Sequence, residues 1–172
     1  MKPFTMYIIG LSGSGKSTLA EALAERLHKK GAPVEVIDGD VLRQELGDMF
    51  GYTREDRIKQ GRVGWVLARH LNRNGISVLI AATAGCQDVR ERAREFIGEG
   101  YLQVYLDCPI EECIRRDVKG YYKDVSKLKN FYGIDMKYDV PEDSELTVDT
   151  VHLSVEQSAG QVMSYLEENG FC

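Results

Sequence analysis

Apolar residues along this chain follow two rhythms that take turns. Thr5–Leu11 (TMYIIGL) is short, mostly apolar and β-branched, as a strand buried on both faces requires. In Ser17–Lys30 the spacing changes: Leu19, Ala20, Leu23, Ala24 and Leu27 share one helical face, and Gly31 supplies a stop. Pro33–Asp38 reads as a second strand, followed by a short helix from about Val41. Arg54–Arg73 reads as a long helix with Val63, Val66, Leu67 and Leu71 along its apolar stripe. Strands at Ile76–Ala82 and Tyr101–Leu106 flank a helix at Asp88–Ile97. A helix at Ile110–Arg116, a fifth strand near Leu146–Val148 and a last helix over about Ser154–Glu168 complete the series. Strands separated by helices favour a parallel sheet covered on both faces, so the expected fold is α/β: a three-layer α/β/α sandwich around a parallel five-stranded sheet.

The rhythm lapses between Val118 and Glu145, in a stretch too long to be a simple connection. Within Arg116–Asn130 five basic residues face two acidic ones, a sign reversal in a chain of net charge −5. A segment at about 116–145 is therefore expected to be a lid that closes on anionic groups. At 172 residues the chain suits one domain with one core. The acidic balance argues against a nucleic-acid binder, and no apolar run approaches a membrane span. The start of the chain lacks the basic and apolar regions of a signal peptide, and four cysteines without C-x-x-C spacing read as reduced thiols. Both point to a cytoplasmic protein, with a homodimer as an assembly the sequence leaves open.

One segment carries specific chemistry. Gly10-Leu11-Ser12-Gly13-Ser14-Gly15-Lys16-Ser17-Thr18 satisfies the phosphate-loop pattern between a strand and a helix, the setting that pattern demands. Its glycines let backbone N–H groups turn towards phosphate oxygens, and the helix N-terminus adds partial positive charge. Lys16 is expected to reach the β- and γ-phosphates of ATP, and the Ser17 hydroxyl to ligate Mg²⁺. The expected fold is thus that of P-loop NTPases. Asp38-Gly39-Asp40 ends the second strand, at the edge where open α/β sheets bind ligands. A carboxylate there can deprotonate an acceptor hydroxyl or hold Mg²⁺ through water, while Asp38 serves equally well as a plain helix cap. Arg43 suits a bidentate hold on an anion.

Several ordered motifs together resemble those of the adenylyl-sulfate kinases, which phosphorylate the 3′-hydroxyl of adenosine 5′-phosphosulfate (APS). Besides the phosphate loop, Asp38–Arg43 (DGDVLR) resembles the family's DGD-x-x-R. Gly51-Tyr52-Thr53 with Asp56-Arg57 resembles GF(S/T)…DR, Arg116–Tyr122 resembles RD-x-KGLY, and Phe131-Tyr132-Gly133 resembles FTG. Tyr138–Pro141, Glu145-Leu146 and Asp149-Thr150 resemble Y-E-x-P…EL…DT. The resemblance implies ATP with Mg²⁺, Asp40 as base, Lys16 and Lys119 beside the transferring phosphates, and Arg116 on the ATP side. It also implies an acceptor held by Asp38, Arg43, Arg57, Lys119 and residue 60, with its base between Tyr52 and Phe131. Without the motif context, Tyr52 and Phe131 read equally as core aromatics.

The departures from the family pattern fall on the acceptor side. Gln60 replaces an asparagine, and Thr83-Ala84-Gly85-Cys86-Gln87 stands where the family has I-S-P-Y-R. Ala84 replaces a serine proposed to carry phosphate, so transfer is expected to be direct. Only nine residues precede Gly10, so the family's N-terminal arm is expected to be missing. Gly61 and Gly64 weaken a helix and leave either a tight helix crossing or extra room for the acceptor. The sequence thus predicts a 3′-kinase of APS, or of another nucleotide bearing a 5′-diphosphate-like anion such as a cytidine diphosphoramidate, with APS as a weakened substrate. A P-loop kinase of a sugar or small alcohol, and a nucleotide-binding protein without catalysis, are the competing classes.

Overall fold

The computed structural model describes residues 2–172. Five strands form one sheet: β1 (Thr5–Ile9), β2 (Val34–Asp38), β3 (Ser77–Ala82), β4 (Tyr101–Asp107) and β5 (Leu146–Asp149), in the order β2-β3-β1-β4-β5. Every neighbouring pair runs parallel. The helices α1 (Lys16–Lys29), α2 (Gly39–Leu46), α3 (Arg54–Arg73), α4 (Gln87–Ile97), α5 (Ile110–Arg116) and α6 (Val155–Glu168) alternate with them. The α/β/α sandwich expected from the alternation is therefore present.

Burial on β1 explains the two cores. All five of its residues are buried, and alternation sends Met6 and Ile8 to one face, Tyr7 and Ile9 to the other. Met6 and Ile8 pack with Leu19, Leu23 and Leu27 of α1 and with Val162 and Leu166 of α6. Tyr7 and Ile9 pack with Trp65 and Ala68 of α3 and Val89 and Ala93 of α4. The last helix starts on a full capping box, in which the Ser154 hydroxyl accepts the Gln157 N–H and the Gln157 side chain accepts the Ser154 N–H. No helix among the described residues is long and apolar enough to cross a membrane.

Register sets the site. Ile9 lies opposite both Ala82 and Tyr105, and Asp38 lies opposite Ala81. The C-terminal ends of β1, β2 and β3 thus come level, and the loops that leave them meet at one edge of the sheet.

Two sequence expectations need correction here. The buried face of α3 is Gln60, Gly64, Trp65 and Ala68, whereas Val66 and Leu67 are 38% and 42% exposed. The aliphatic stripe misled because the largest inward side chain is a tryptophan, and its bulk is matched by a glycine and an alanine. The helix after β2 begins at Gly39 rather than near Val41, because Asp38 caps it.

The segment from Asp117 to Glu145 has its own order. A 3₁₀ stretch covers Tyr121–Lys127, and Tyr122 and Tyr132 are buried. The Asp135 carboxylate accepts the backbone N–H groups of Asn130 (2.7 Å) and Phe131 (2.6 Å). The Asp139 N–H donates to the Gly85 carbonyl at 2.8 Å. Glu145 closes the segment, accepting from Arg94 Nη1 at 2.5 Å and from the Gln103 N–H at 2.6 Å.

Candidate active site

A cavity of about 1230 Å³ opens at the sheet edge where the three strand ends meet. Its floor is the loop between β1 and α1. Gly13 has φ +83°, and a side chain there would stand 3.0 Å from the Cys113 carbonyl oxygen, so only glycine lets the loop lie against α5. Gly15, also left-handed, hands the chain into α1. The Lys16 ammonium donates to the Leu11 carbonyl at 2.7 Å, bending back across the loop. Burial pushes the Lys16 pKa down to about 8, against an upward pull from Asp40. The Tyr122 hydroxyl donates to the Ser12 carbonyl at 2.8 Å and ties the 3₁₀ stretch to the loop. Ser12 to Thr18 line the cavity, but Gly10 and Leu11 do not. Gly10 ends the strand against the Leu106 carbonyl, and the Leu11 side chain packs with Ile110 and Ile134.

The two aspartates after β2 have different surroundings. Asp38 is the helix cap: its carboxylate accepts the N–H groups of Asp40 (2.8 Å) and Val41 (3.3 Å), and it also accepts from the Ser17 hydroxyl. Burial alone would raise its pKa, but these hydrogen bonds and the charge of Lys119 hold it below the usual carboxylate range. Asp40 does not cap. It is 48% exposed to the cavity and pairs with the Lys119 ammonium, which reaches it from the segment after α5. That pairing, with help from Asp38, raises the Lys119 pKa despite burial, which acts the other way. Arg116 lines the same side, held by Glu112 at 2.7 Å and by the Thr150 carbonyl at 2.6 Å.

Across the cavity, α2, α3 and the segment from Asn130 to Tyr132 form a second wall. Arg43 donates to the Gly51 carbonyl at 2.7 Å, and its guanidinium lies 4.5 Å from the centre of the Tyr52 ring. Arg57 donates from Nε to the Tyr52 carbonyl at 3.1 Å and from Nη2 to the Asn130 carbonyl. Its guanidinium stands between two rings, 5.7 Å from Tyr52 and 5.0 Å from Tyr132. Tyr52 is 56% exposed and is no core residue. Phe131 is half-buried, edge-on to Tyr122 at 5.3 Å and to Tyr121 at 6.2 Å, so it both packs and lines the cavity. Gln60 also lines the cavity, with its amide N–H donating to the Gly39 carbonyl at 2.7 Å. Gly61 and Gly64 fit the reading of room at the cavity rather than a tight helix crossing, since Trp65 belongs to the same helix and the Leu42 contact is of ordinary length. They face the cavity, and a side chain would meet the Trp65 ring at 3.2 Å from Gly61 and Leu42 at 3.7 Å from Gly64.

The structure therefore brings together Asp38, Asp40, Lys16, Ser17, Lys119, Arg116, Arg43, Tyr52, Arg57, Gln60 and Phe131 around one space. The sequence reading did not choose Tyr121 and Tyr132, which also line it, although both stand beside matched motif residues. It also passed over Arg90, which is 1% exposed and donates to the Ala84 carbonyl at 2.8 Å. That bond secures Ala84 in a left-handed turn, φ +44°, at the cavity rim.

Comparison with known proteins agrees with this geometry. Residues 2–149 match the family described as adenylylsulphate kinase. The adenylyl-sulfate kinase of Picosynechococcus sp. is 39% identical over 170 residues, covering 97% of this chain and 95% of its own. That of Halothermothrix orenii is 39% identical over 172 residues, covering 99% and 92%. Among solved structures, the Mycobacterium tuberculosis APS kinase in complex with AMPPNP and APS superposes with a TM-score of 0.91 at 33% identity, covering 96% of this chain and 98% of that one. The shikimate kinase of Acinetobacter baumannii, at 16% identity and a TM-score of 0.64, shares the fold.

Proposed function

The chain belongs to the adenylylsulphate kinase family, and from that premise we propose that it transfers the γ-phosphoryl group of ATP to the 3′-hydroxyl of APS. The observation that carries the reading is the Asp40–Lys119 pair, a carboxylate and an ammonium facing the cavity beside the phosphate loop. ATP lies along Ser12–Thr18, with loop N–H groups and the start of α1 around its phosphates. Lys16 leaves the Leu11 carbonyl for the β- and γ-phosphate oxygens, where a polyanion restores its full charge. Asp40 orients the acceptor hydroxyl and takes its proton as the oxygen–phosphorus bond forms. Lys119 neutralises charge on the passing phosphoryl group, and Arg116 supports the ATP side. Transfer is direct, because Ala84 offers no hydroxyl.

Mg²⁺ fits the donor set. Ser17 Oγ and the Asp38 carboxylate are adjacent hard oxygens, and this ion binds through few protein ligands while keeping its waters. Ser17 Oγ and the Asp38 carboxylate would be the groups that hold it. Bound there, it neutralises charge on the β- and γ-phosphates.

On the acceptor side, Arg43 and Arg57 meet the anionic groups, and Tyr52 and Phe131 flank the base. The basic stretch from Arg116 to Asn130 is the closing element that excludes water. A second acceptor, another nucleotide with a diphosphate-like anion, is favoured by one observation: Gly61 and Gly64 line the cavity without side chains and leave extra room there. The test is ADP release with APS against cytidine and uridine 5′-diphosphate-like anions at saturating ATP and Mg²⁺. A kcat/KM for APS at ordinary kinase level, well above the others, upholds the APS reading. A wide margin for another nucleotide replaces it with the second.

A further inference from the structure

The loop after β3 and the segment after α5 meet in space. Cys86 follows β3, and Tyr132 lies in the segment between α5 and β5. The Tyr132 hydroxyl and the Cys86 thiol lie 2.9 Å apart, across 46 residues of sequence. Gly85 makes room for the Tyr132 ring: a side chain there would sit 2.4 Å from it, far inside contact distance. Tyr132 is 4% exposed and is wedged edge-on against Tyr138 at 6.2 Å. Its free face is turned to the Arg57 guanidinium, 5.0 Å away.

We propose that Tyr132 is a positioning residue for Arg57, and that Gly85, Cys86 and Tyr132 act as one packed unit that shapes the acceptor side. The inference rests on the reading of Arg57 as an acceptor ligand and adds how that ligand is set. Nε and Nη2 of Arg57 are taken by backbone carbonyls, and Tyr52 and Tyr132 hold its plane from two sides. Among the described residues Nη1 has no hydrogen-bond partner and Nη2 keeps a second N–H, so an incoming anion is met by the Nη1–Nη2 end of the guanidinium at an angle set by its other contacts. The unit is also self-consistent in volume, since a tyrosine at 86 and a tyrosine at 132 cannot occupy the same space.

The experiment uses Tyr132→Thr, Tyr132→Leu, Tyr132→Phe, Cys86→Tyr and the double variant Cys86→Tyr/Tyr132→Thr. Steady-state kinetics give KM for APS and for ATP, and the Arg57 Nε–H resonance is followed in the protein without acceptor. Loss of one cation–π face in Tyr132→Thr or Tyr132→Leu is expected to raise KM for APS about tenfold. KM for ATP stays within about twofold, and the Arg57 resonance moves as a ring current disappears. Tyr132→Phe, which keeps the ring, returns KM for APS to within about threefold of the parent. Cys86→Tyr alone damages acceptor binding, and adding Tyr132→Thr repairs it, a coupling that independent sites do not show. An unmoved Arg57 resonance in both Tyr132→Thr and Tyr132→Leu overturns the proposal, as does simple addition of the Cys86→Tyr and Tyr132→Thr effects. If the parent protein does not turn over APS, the proposed function fails instead, and the Arg57 resonance still decides this point.

Discussion

Replacing Asp40 by asparagine separates chemistry from architecture at one position. The amide keeps the size of the side chain and leaves the α2 cap untouched, because the cap belongs to Asp38. What disappears is the negative charge that faces Lys119 and the capacity to accept a proton. The stability cost is small: with the two side chains 48% and 38% exposed, the ion pair contributes about 0–1 kcal/mol. The catalytic cost is larger. General-base assistance is worth about 10²–10⁴-fold, and a loose phosphoryl-transfer transition state calls for the lower end. A hundredfold loss corresponds to about 2.7 kcal/mol on the barrier, so the rate effect outweighs the folding effect by a clear margin. Rapid-quench single turnover, with enzyme in excess over APS and ATP–Mg²⁺ saturating, isolates the chemical step. Asp40→Asn is expected to be about hundredfold slower there, with ATP affinity changed by less than about threefold. A single-turnover rate near that of the parent would refute the assignment of Asp40 as base, and an equal loss in ATP affinity would reassign it to nucleotide binding.

Other outcomes follow from the same geometry. Lys16→Ala abolishes turnover while thermal melting stays close to that of the parent, since its ammonium bonds only the Leu11 carbonyl among the described residues; retention of most of kcat in the folded variant removes it from the mechanism. Lys16 has its pKa lowered to about 8, so ATP binding near pH 8 takes up protons and ATP affinity falls as pH rises through that value; calorimetry in two buffers of different ionisation enthalpy reads the uptake, and none in either buffer contradicts the assignment. Asp38→Ala loses the α2 cap and costs about 1 kcal/mol of stability in denaturant melts. The Asp38 pKa is depressed in the folded state, so its contribution is present above the unfolded pKa and fades as pH falls below about 4; a difference between parent and variant that does not shrink in acid would show that the carboxylate charge is irrelevant.

How much of this was legible in the sequence depended on whether a signal was local. β1 announced itself because strands buried on both faces tolerate little but apolar residues, and the phosphate loop because its backbone demands glycine at fixed spacing. Asp38 was ambiguous between ligand and cap, and the structure gives it the cap together with the Ser17 contact. The face of α3 was misread because one tryptophan fills the space of several aliphatic residues, so counting aliphatics pointed to Val66 and Leu67 instead. Tyr132 was invisible for a different reason: its partners, Gly85 and Cys86, are contacts made only after the chain folds. Arg90 resembled any helical arginine, and only burial against the Ala84 turn distinguishes it.

The strand order has a consequence for synthesis of the chain. β1 leaves the ribosome first, yet its two hydrogen-bonding neighbours are β3, ending at Ala82, and β4, ending at Asp107. One edge of β1 cannot be satisfied until Ala82, close to the middle of the 172 residues, has been translated, and the other not until Asp107, beyond the middle. The most sequence-specific segment of the protein is therefore among the last to acquire a stable support. A nascent chain stalled before β4 emerges carries the phosphate loop without the α5 backbone against which Gly13 lies.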